Sequence, residues 1–357
     1  MPSFSDDLRT RAGNALRKVF ATGVAPQRDI IVEEVRSQAR HLATMLGTTA
    51  QRSADAEAAR VEHLRAQVDA LASELDEVRD VVRANRDDVP WHRRRLWDLR
   101  DSDAYAAVWD ETEPLVSIRI ATYNRAKIVR ETALQSVLDQ GYERYECIVV
   151  GDGCTDETGD LVAAIGDDRF SFVNLPHRSV YPEADEHRWY VAGAPPMNVG
   201  AHLARGTWIA PLDDDDAWTP DHIEVLLGTA LQGRYELAYG RLCQQWADLP
   251  KRRTIGAYPP ENGQFSFQGA MYLKLLDFFE YDTSSWVMRE PGDWNLCRRM
   301  LEAGVRMGFT EKVVGTMYFR MKAHHFDQYG KALEAEFGSA ALDAARRLAA
   351  DGDPASS

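Results

Sequence analysis

The spacing of apolar positions changes near residue 115, and that change divides the chain. Between 61 and 82 the apolar residues Val61, Leu64, Val68, Leu71, Leu75, Val78 and Val82 recur at alternating intervals of three and four. This is the a/d pattern of a heptad repeat, and it predicts a long helix with one apolar seam. Glu74 and Arg79 form a g-to-e′ pair that favours a parallel partner. Ile31, Val35, Leu42 and Met45 follow another phase, and the stretch from Gly47 to Ser53 interrupts the repeat. Residues 28–89 therefore read as a dimerising coiled coil, the alternative being an amphipathic hairpin lying on the following domain. Within an N-terminal segment, 1–27, a short amphipathic helix is predicted over 3–20. Phe4, Leu8, Leu16 and Phe20 lie near one face, and Asp6 and Asp7 weaken any membrane-surface role for its arginines. Pro90 ends the helical run, and WHRRRLWDLR (91–100) opens a linker over 90–113. Docking of Trp91, Leu96 and Trp97 on the next domain is preferred there over a phosphate or lipid-headgroup contact.

From Leu115 the period shortens. VSIRIATYN (116–124) is a strand rich in β-branched residues, a helix follows over about 127–139, and YECIVV (145–150) opens onto GDGCTDET. A second helix spans about 157–164, and FSFVNL (170–175) makes a third strand. Strands alternating with helices at this spacing predict βαβ units and a mostly parallel sheet, an α/β fold. Ligands of such sheets lie outside the carboxyl ends of the strands, so the loops at 122–125, 152–157 and 213–216 should open on one edge.

The stretch GTWIAPLDDDDAWTP (206–220) is the most informative. A short buried strand, Thr207 to Pro211, runs into four successive carboxylates, Asp213 to Asp216, followed by Trp218 and Pro220. Neighbouring carboxylates at the end of a buried strand repel one another and need solvent, protonation or a cation. If the strand stays extended, Asp213 and Asp215 project to the same side and offer the hard oxygen ligands that Mg²⁺ and Mn²⁺ prefer.

Composition narrows the function classes. The formal net charge of −14 argues against non-specific nucleic-acid binding. The acidity is local: residues 1–110 carry 17 basic and 19 acidic side chains, whereas 111–357 carry 25 and 37. No apolar run is long enough to span a membrane, and MPSFSDDLRTRAGN lacks the plan of a secretory signal. Cys147, Cys154, Cys243 and Cys297 show no paired spacing, which fits a reducing cytoplasm. There is no GxxxxGK[ST] loop to cradle phosphates.

Taken in order, VSIRIATYNRA, ECIVVGDGCTDET and NVGAHLARGTWIAPLDDDDAWTP resemble family 2 glycosyltransferases of the GT-A fold, over about residues 114–320. The resemblance implies a metal-dependent, inverting transfer of sugar from a nucleotide-diphosphate donor, UDP-linked by preference, to a hydroxyl of a glycan or other acceptor. It implies that Thr122, Tyr123, Asn124 and Arg125 line the donor site and that Asp152 accepts a hydrogen bond from the base. Asp213, with Asp214, would contact the donor, while Asp215, helped by Asp216, would bind Mn²⁺ or Mg²⁺. Ala121 stands where many members have Pro, and Cys154 where they commonly have Ser.

EPGDWNLCRRMLEAG (290–304) resembles the family's acceptor-side acidic motif, with Gly292-Asp293 where Glu-Asp is common. Asp293 is the expected general base, and a helix cap is its alternative reading. His325, beside His324, falls where some GT-A enzymes place a late metal ligand. The domain is expected over 114–330, with a C-terminal helix and frayed tail at 331–357. Expected partners are a nucleotide sugar, a glycan acceptor and a second copy joined through the N-terminal helix, at the inner face of the membrane at most peripherally. A nucleotidyltransferase, and a coiled-coil assembly protein with an inactive ligand-binding domain, are the competing readings.

Overall fold

In this computed structural model the described residues are 54–246 and 252–319, with isolated positions at 33, 34, 37, 38, 334, 338, 339, 342 and 343. The helix expected over 3–20, the first heptad phase, His324, His325 and most of the C-terminal helix lie outside them. The chain divides into two units, Met1–Arg83 and Ala84–Ser357.

The first unit is represented by α1 (Ala54–Asp87), which continues into the start of the second. The heptad positions lie along it: Val61 and Val68 are 37% and 53% exposed, and Leu64, Leu71, Leu75 and Val78 are half-buried. The side chains of Arg79 and Val82 are outside the described set.

In the second unit, Asp88 adopts a left-handed conformation (φ 39°), and its carboxylate caps α2 (Val89–Arg100) by accepting from the Trp91 amide at 3.2 Å. Together with α3 (Asp103–Val108), α2 turns most of the expected linker into part of the core, since Leu96, Tyr105 and Val108 are buried there. Only one of the three α2 residues expected to dock does so: Trp91 and Trp97 remain about half exposed because the helix packs through His92 and Leu96 instead.

The sheet is built outward from β1 (Val116–Thr122), whose residues are buried on both faces except Ala121. It pairs in parallel with β2 (Tyr145–Gly151) and β4 (Trp208–Asp213), and β2 pairs in parallel with β3 (Phe170–Asn174). Continuous β-branched runs suit strands covered on both sides. The covering helices are α4 (126–138, with a π-helical turn at Val129–Ala133), α5 (Thr158–Ala163), α6 (Asp185–Val191) and α7 (Ala194–Leu203). Gly200 of α7 lets that helix close onto β1, since a Cβ there would stand 3.3 Å from the Arg119 Cβ.

Beyond β4 come β5 (Ala217–Trp218), α8 (His222–Gly233), β6 (Leu237–Trp246), β7 (Arg252–Ile255), β8 (Ala270–Leu273), α9 (Gly292–Ala303) and β9 (Met307–Phe319). The strand order is β3-β2-β1-β4-β8-β6-β9-β5, with β7 beside β6. Pairing is parallel through the first four strands and again between β6 and β9, and antiparallel at the remaining junctions. The α/β class expected from the sequence is the one observed, and the antiparallel strands add a second half to the sheet.

Glu236, wholly buried before β6, ties α2 and α3 to this second half. It accepts from Arg100 Nε at 2.6 Å, from the Tyr105 hydroxyl at 2.7 Å and from the Arg306 amide at 2.7 Å. Burial works against its charge, but these donors more than offset it and hold the carboxyl below the usual glutamate value. A depressed carboxylate contributes stability in full above its unfolded pKa, and that contribution is lost as pH falls through the folded one. Glu236→Gln should therefore lower stability at neutral pH by about 2–3 kcal/mol, less than for a wholly buried pair because Arg100 reaches solvent. Thermal unfolding of both proteins across acidic pH checks this, and the gap should close as pH falls below the usual glutamate range.

Candidate active site

Three parallel strands end level with one another. Thr122 of β1 lies opposite Gly151 of β2, and Ala121 opposite Asp213 of β4, so the loops at 122–125, 152–157 and 213–216 meet at one edge as expected. The β4 strand stops at Asp213 and the chain turns through Asp214 and Asp215, closed by the Asp216 amide donating to the Asp213 carbonyl at 3.3 Å. Strand alternation therefore does not carry to Asp215, and the same-side projection of Asp213 and Asp215 does not follow.

The four carboxylates have different surroundings. Asp214 is buried and accepts from Thr122 Oγ1 and Arg125 Nη1, each at 2.7 Å. The same Arg125 nitrogen reaches Asp215 Oδ2 at 2.9 Å, leaving that side chain more than a third exposed. Asp216 is buried and accepts from the Tyr318 amide at 2.7 Å. Burial raises the pKa of Asp214 despite Arg125, and it raises Asp216 further, with Asp215 and Asp213 adding repulsion. Asp213 is raised well above the usual carboxylate value by burial and then by the charges of Asp293 and Asp215, with Arg119 opposing.

Asp293 reaches this edge from the first turn of α9, eighty positions further along the chain. It does not cap its own helix: the N-cap residue is Pro291, without a side-chain cap bond. Instead Asp293 Oδ2 accepts from Ser266 Oγ at 2.5 Å and the Phe267 amide at 3.0 Å, and Oδ1 accepts from the Tyr281 hydroxyl at 3.0 Å. The helix-cap reading is thereby overturned. Arg119, in the centre of β1 and 1% exposed, donates to the Tyr281 hydroxyl at 3.0 Å. Burial opposes its charge, yet Tyr281, Tyr272, Asp213 and Asp293 together raise its pKa above the ordinary arginine value.

On the β2 side, Asp152 is buried and already engaged. Its Oδ1 accepts from the Ser179 amide (3.0 Å) and hydroxyl (2.5 Å), and Oδ2 from the Tyr181 hydroxyl (2.6 Å). The Arg178 guanidinium lies 3.5 Å from the centre of the Tyr123 ring, and a cleft beside it is lined by Arg178, Ser179, Tyr181 and Arg188. Asn124 takes a left-handed conformation (φ 49°), which Asn tolerates better than most residues. Its Oδ1 accepts from the Thr155 amide at 2.8 Å, joining the first two loops.

Thr122, Arg125, Asp213, Asp214, Asp215 and Asp216 thus form one acidic centre with Asp293 electrostatically beside it, while Tyr123, Asn124 and Asp152 line its β2 flank. Arg119, Arg178, Ser179, Tyr181, Ser266 and Tyr281 were not anticipated. Only Arg119 left a signal, as a charge inside an otherwise buried β-branched run.

Among the described residues no three His, Cys, Asp or Glu side chains are arranged to hold a metal ion. The donor set nevertheless fits a hard divalent cation that takes few protein ligands. Asp213 is partly exposed and the Asp215 side chain more than a third exposed, and the repulsion among the carboxylates is only partly relieved by Arg119 and Arg125. Mg²⁺ in particular is commonly held by one or two carboxylates plus phosphate and water.

A mixed α/β sheet with an acidic centre at its carboxyl edge is the arrangement expected of a GT-A type domain. The family model described as glycosyl transferase family 2 matches residues 117–292, just under half of the chain. A putative colanic acid biosynthesis glycosyl transferase of Escherichia coli (strain K12) is 33% identical over 119 residues, covering 33% of this chain and 38% of that protein. A succinoglycan biosynthesis protein of Rhizobium meliloti is 37% identical over 130 residues, covering 36% and 33%. An Escherichia coli UDP-Glc:alpha-D-GlcNAc-diphosphoundecaprenol beta-1,3-glucosyltransferase is 32% identical over 109 residues, covering 30% and 38%. The match thus spans little more than a third of the length of these relatives. Among solved structures, a mannosyltransferase from Pyrobaculum calidifontis, in complex with GDP-Man and Mn²⁺, aligns with a TM-score of 0.43 at 15% identity, covering 78% of this chain and 77% of that one. The first 349 residues of S. aureus TarS, in complex with UDP-GlcNAc, align with a TM-score of 0.42 at 17% identity, covering 58% and 60%.

Proposed function

We propose that the protein transfers a sugar from a nucleoside-diphosphate donor, UDP-linked by preference, to a hydroxyl of a cell-envelope glycan acceptor, with inversion at the anomeric carbon. The observation that carries this reading is the convergence of Asp213, at the end of β4, and Asp293, in the first turn of α9, at the carboxyl edge of the sheet around Arg119 and Tyr281. Inverting displacement needs two functions at one place, and the two carboxylates supply them separately. The 213–216 turn holds the diphosphate end, and Asp293 receives the proton of the attacking hydroxyl. Ser266, the Phe267 amide and Tyr281 orient the Asp293 carboxylate for that role.

Asp215 and Asp213 would hold Mn²⁺ or Mg²⁺, with Asp216 in support. When bound, the cation supplies charge stabilisation to the departing diphosphate. Tyr123, Asn124 and Asp152 take the base and ribose in this proposal, so that Ser179 and Tyr181 share Asp152 with the base. The UDP preference is supported by the relative named for UDP-Glc transfer, and the envelope-glycan acceptor by relatives named for colanic acid and succinoglycan synthesis. The family-model match over residues 117–292 favours this reading over the nucleotidyltransferase alternative. No helix among the described residues is long and apolar enough to cross a membrane. The apolar seam of α1, exposed at Val61 and Val68, is assigned to a second copy of the chain.

Turnover of Asp293→Asn with a competent acceptor at saturating donor should fall by roughly a hundredfold or more, while donor affinity stays within a few-fold. Near-normal turnover would remove the base from this residue. Removing divalent cations with EDTA should sharply weaken UDP binding measured by calorimetry, and affinity unchanged by EDTA would refute the metal assignment. For the seam, light scattering on Val68→Glu/Leu71→Glu should give half the mass of the wild-type assembly. Equal masses would rule out pairing along α1.

A further inference from the structure

The α2 helix presents an outward face that its packing leaves unexplained. Successive residues of a helix turn by about 100°, so His92 and Leu96, with Leu99 and Arg100 beside them, form the inner face. His92 stacks on Phe279 at 4.6 Å and Leu96 is fully buried. The opposite face carries Pro90, Trp91, Arg93, Arg94, Arg95, Trp97 and Asp98, all exposed. Trp91 is 49% and Trp97 59% exposed. Single exposed apolar residues are ordinary, but two tryptophans on one short helix, with three arginines between them, are not explained by folding.

Local bonding leaves two of those arginines available. Arg93 Nη2 donates to the Glu302 carbonyl at 2.8 Å. Arg94 and Arg95 have no ion pair or hydrogen-bond acceptor among the described residues. They line a shallow cleft of about 320 Å³ with Trp91, Asp98 and Phe278. Trp91 meets the Phe278 ring edge-on at 5.9 Å, and the Arg95 guanidinium lies 5.9 Å from the centre of the same ring.

We infer that this face of α2 docks on an anionic membrane surface, with a lipid phosphate seated in the cleft between Arg94 and Arg95. A guanidinium matches phosphate geometry with paired N–H donors. Tryptophan side chains settle at the level of lipid headgroups, where one end of the ring is apolar and the other wet. Trp91 and Trp97 are about 9 Å apart along the helix axis and flank the two arginines, so rings and guanidiniums can reach one headgroup layer together. Nucleic acid offers the same phosphates but suits the chain poorly, because its net charge is −14 and the basic face is short. Asp98 is the one carboxylate at the cleft, and it weakens phosphate binding there. The surface is distinct from the catalytic edge. The α2 helix meets the C-terminal end of α9 through Arg93 and the Glu302 carbonyl, about 14 Å along α9 from Asp293.

Flotation of the full-length protein with vesicles tests this inference without reference to activity. Vesicles of one part phosphatidylglycerol to two parts phosphatidylcholine should carry the protein upward, and pure phosphatidylcholine should carry roughly tenfold less. Arg94→Glu/Arg95→Glu should abolish the difference, Trp91→Ala/Trp97→Ala should reduce binding to the anionic vesicles several-fold, and Asp98→Asn should strengthen it. Lys312→Glu, a charge change on an exposed residue elsewhere, should leave it unaltered, and circular dichroism should show all variants folded. Equal binding to both vesicle types, no binding to either, or full binding by the Arg94/Arg95 variant would each overturn the inference. Displacement by millimolar inorganic phosphate would overturn it as well, since the cleft would then serve free phosphate rather than a membrane.

Discussion

A charged guanidinium wholly buried under the carboxyl edge of the sheet is the constraint on which the candidate site depends. Arg119 sits in the middle of β1, between two parallel strands and beneath α7, where water does not reach it. A buried charge without compensation costs several kcal/mol. Its compensation comes from the Tyr281 hydroxyl, and through space from Asp213 and Asp293. One cation thus favours bringing together two carboxylates that would otherwise repel. The same arrangement aims Tyr281 at Asp293, so the Asp293 carboxylate is oriented through a residue of the first strand.

The two halves of the sheet divide the labour. The parallel half supplies loops at a shared level, because parallel strands all end at the same edge, and those loops carry Thr122, Asp152 and the acidic turn. The other half delivers Asp293 and its hydrogen-bond donors from 266, 267 and 281. Four acidic residues in a row therefore behave as four different groups. Asp214 and Asp216 are tied inward to Arg125, Thr122 and the Tyr318 amide, whereas Asp213 and Asp215 retain access to solvent. Distinct environments on adjacent residues allow one turn to hold its own conformation while part of its charge stays open to solvent.

Glu236 performs a comparable service away from the site. By collecting Arg100, Tyr105 and the Arg306 amide, it anchors α2 and α3 to the second half of the sheet. The anchoring fixes which face of α2 is inside, and so leaves Trp91, Arg94, Arg95 and Trp97 outside. A buried ion pair in the core thereby defines the character of a surface.

Much of this was legible in the chain itself. The β-branched runs of β1, β2 and β3, the helices between them and the strand leading into Asp213 follow from local periodicity, because burial on both faces demands continuous apolar residues. The placing of three loops on one edge follows from parallel pairing alone. The partners of Asp293 could not be read in this way. Ser266 and Tyr281 lie in stretches without a distinctive period, and their approach depends on how β8 pairs with β4 and where α9 begins, which no local pattern encodes. The engagement of Asp152 by Ser179 and Tyr181 was hidden for the same reason. The turn at Asp214 was hidden too, since four identical residues carry no signal of where a strand stops. Sequence determined which segments are buried and where the acidic chemistry lies. Tertiary structure decided which carboxylates face one another, because that choice rests on a buried arginine and its distant partners.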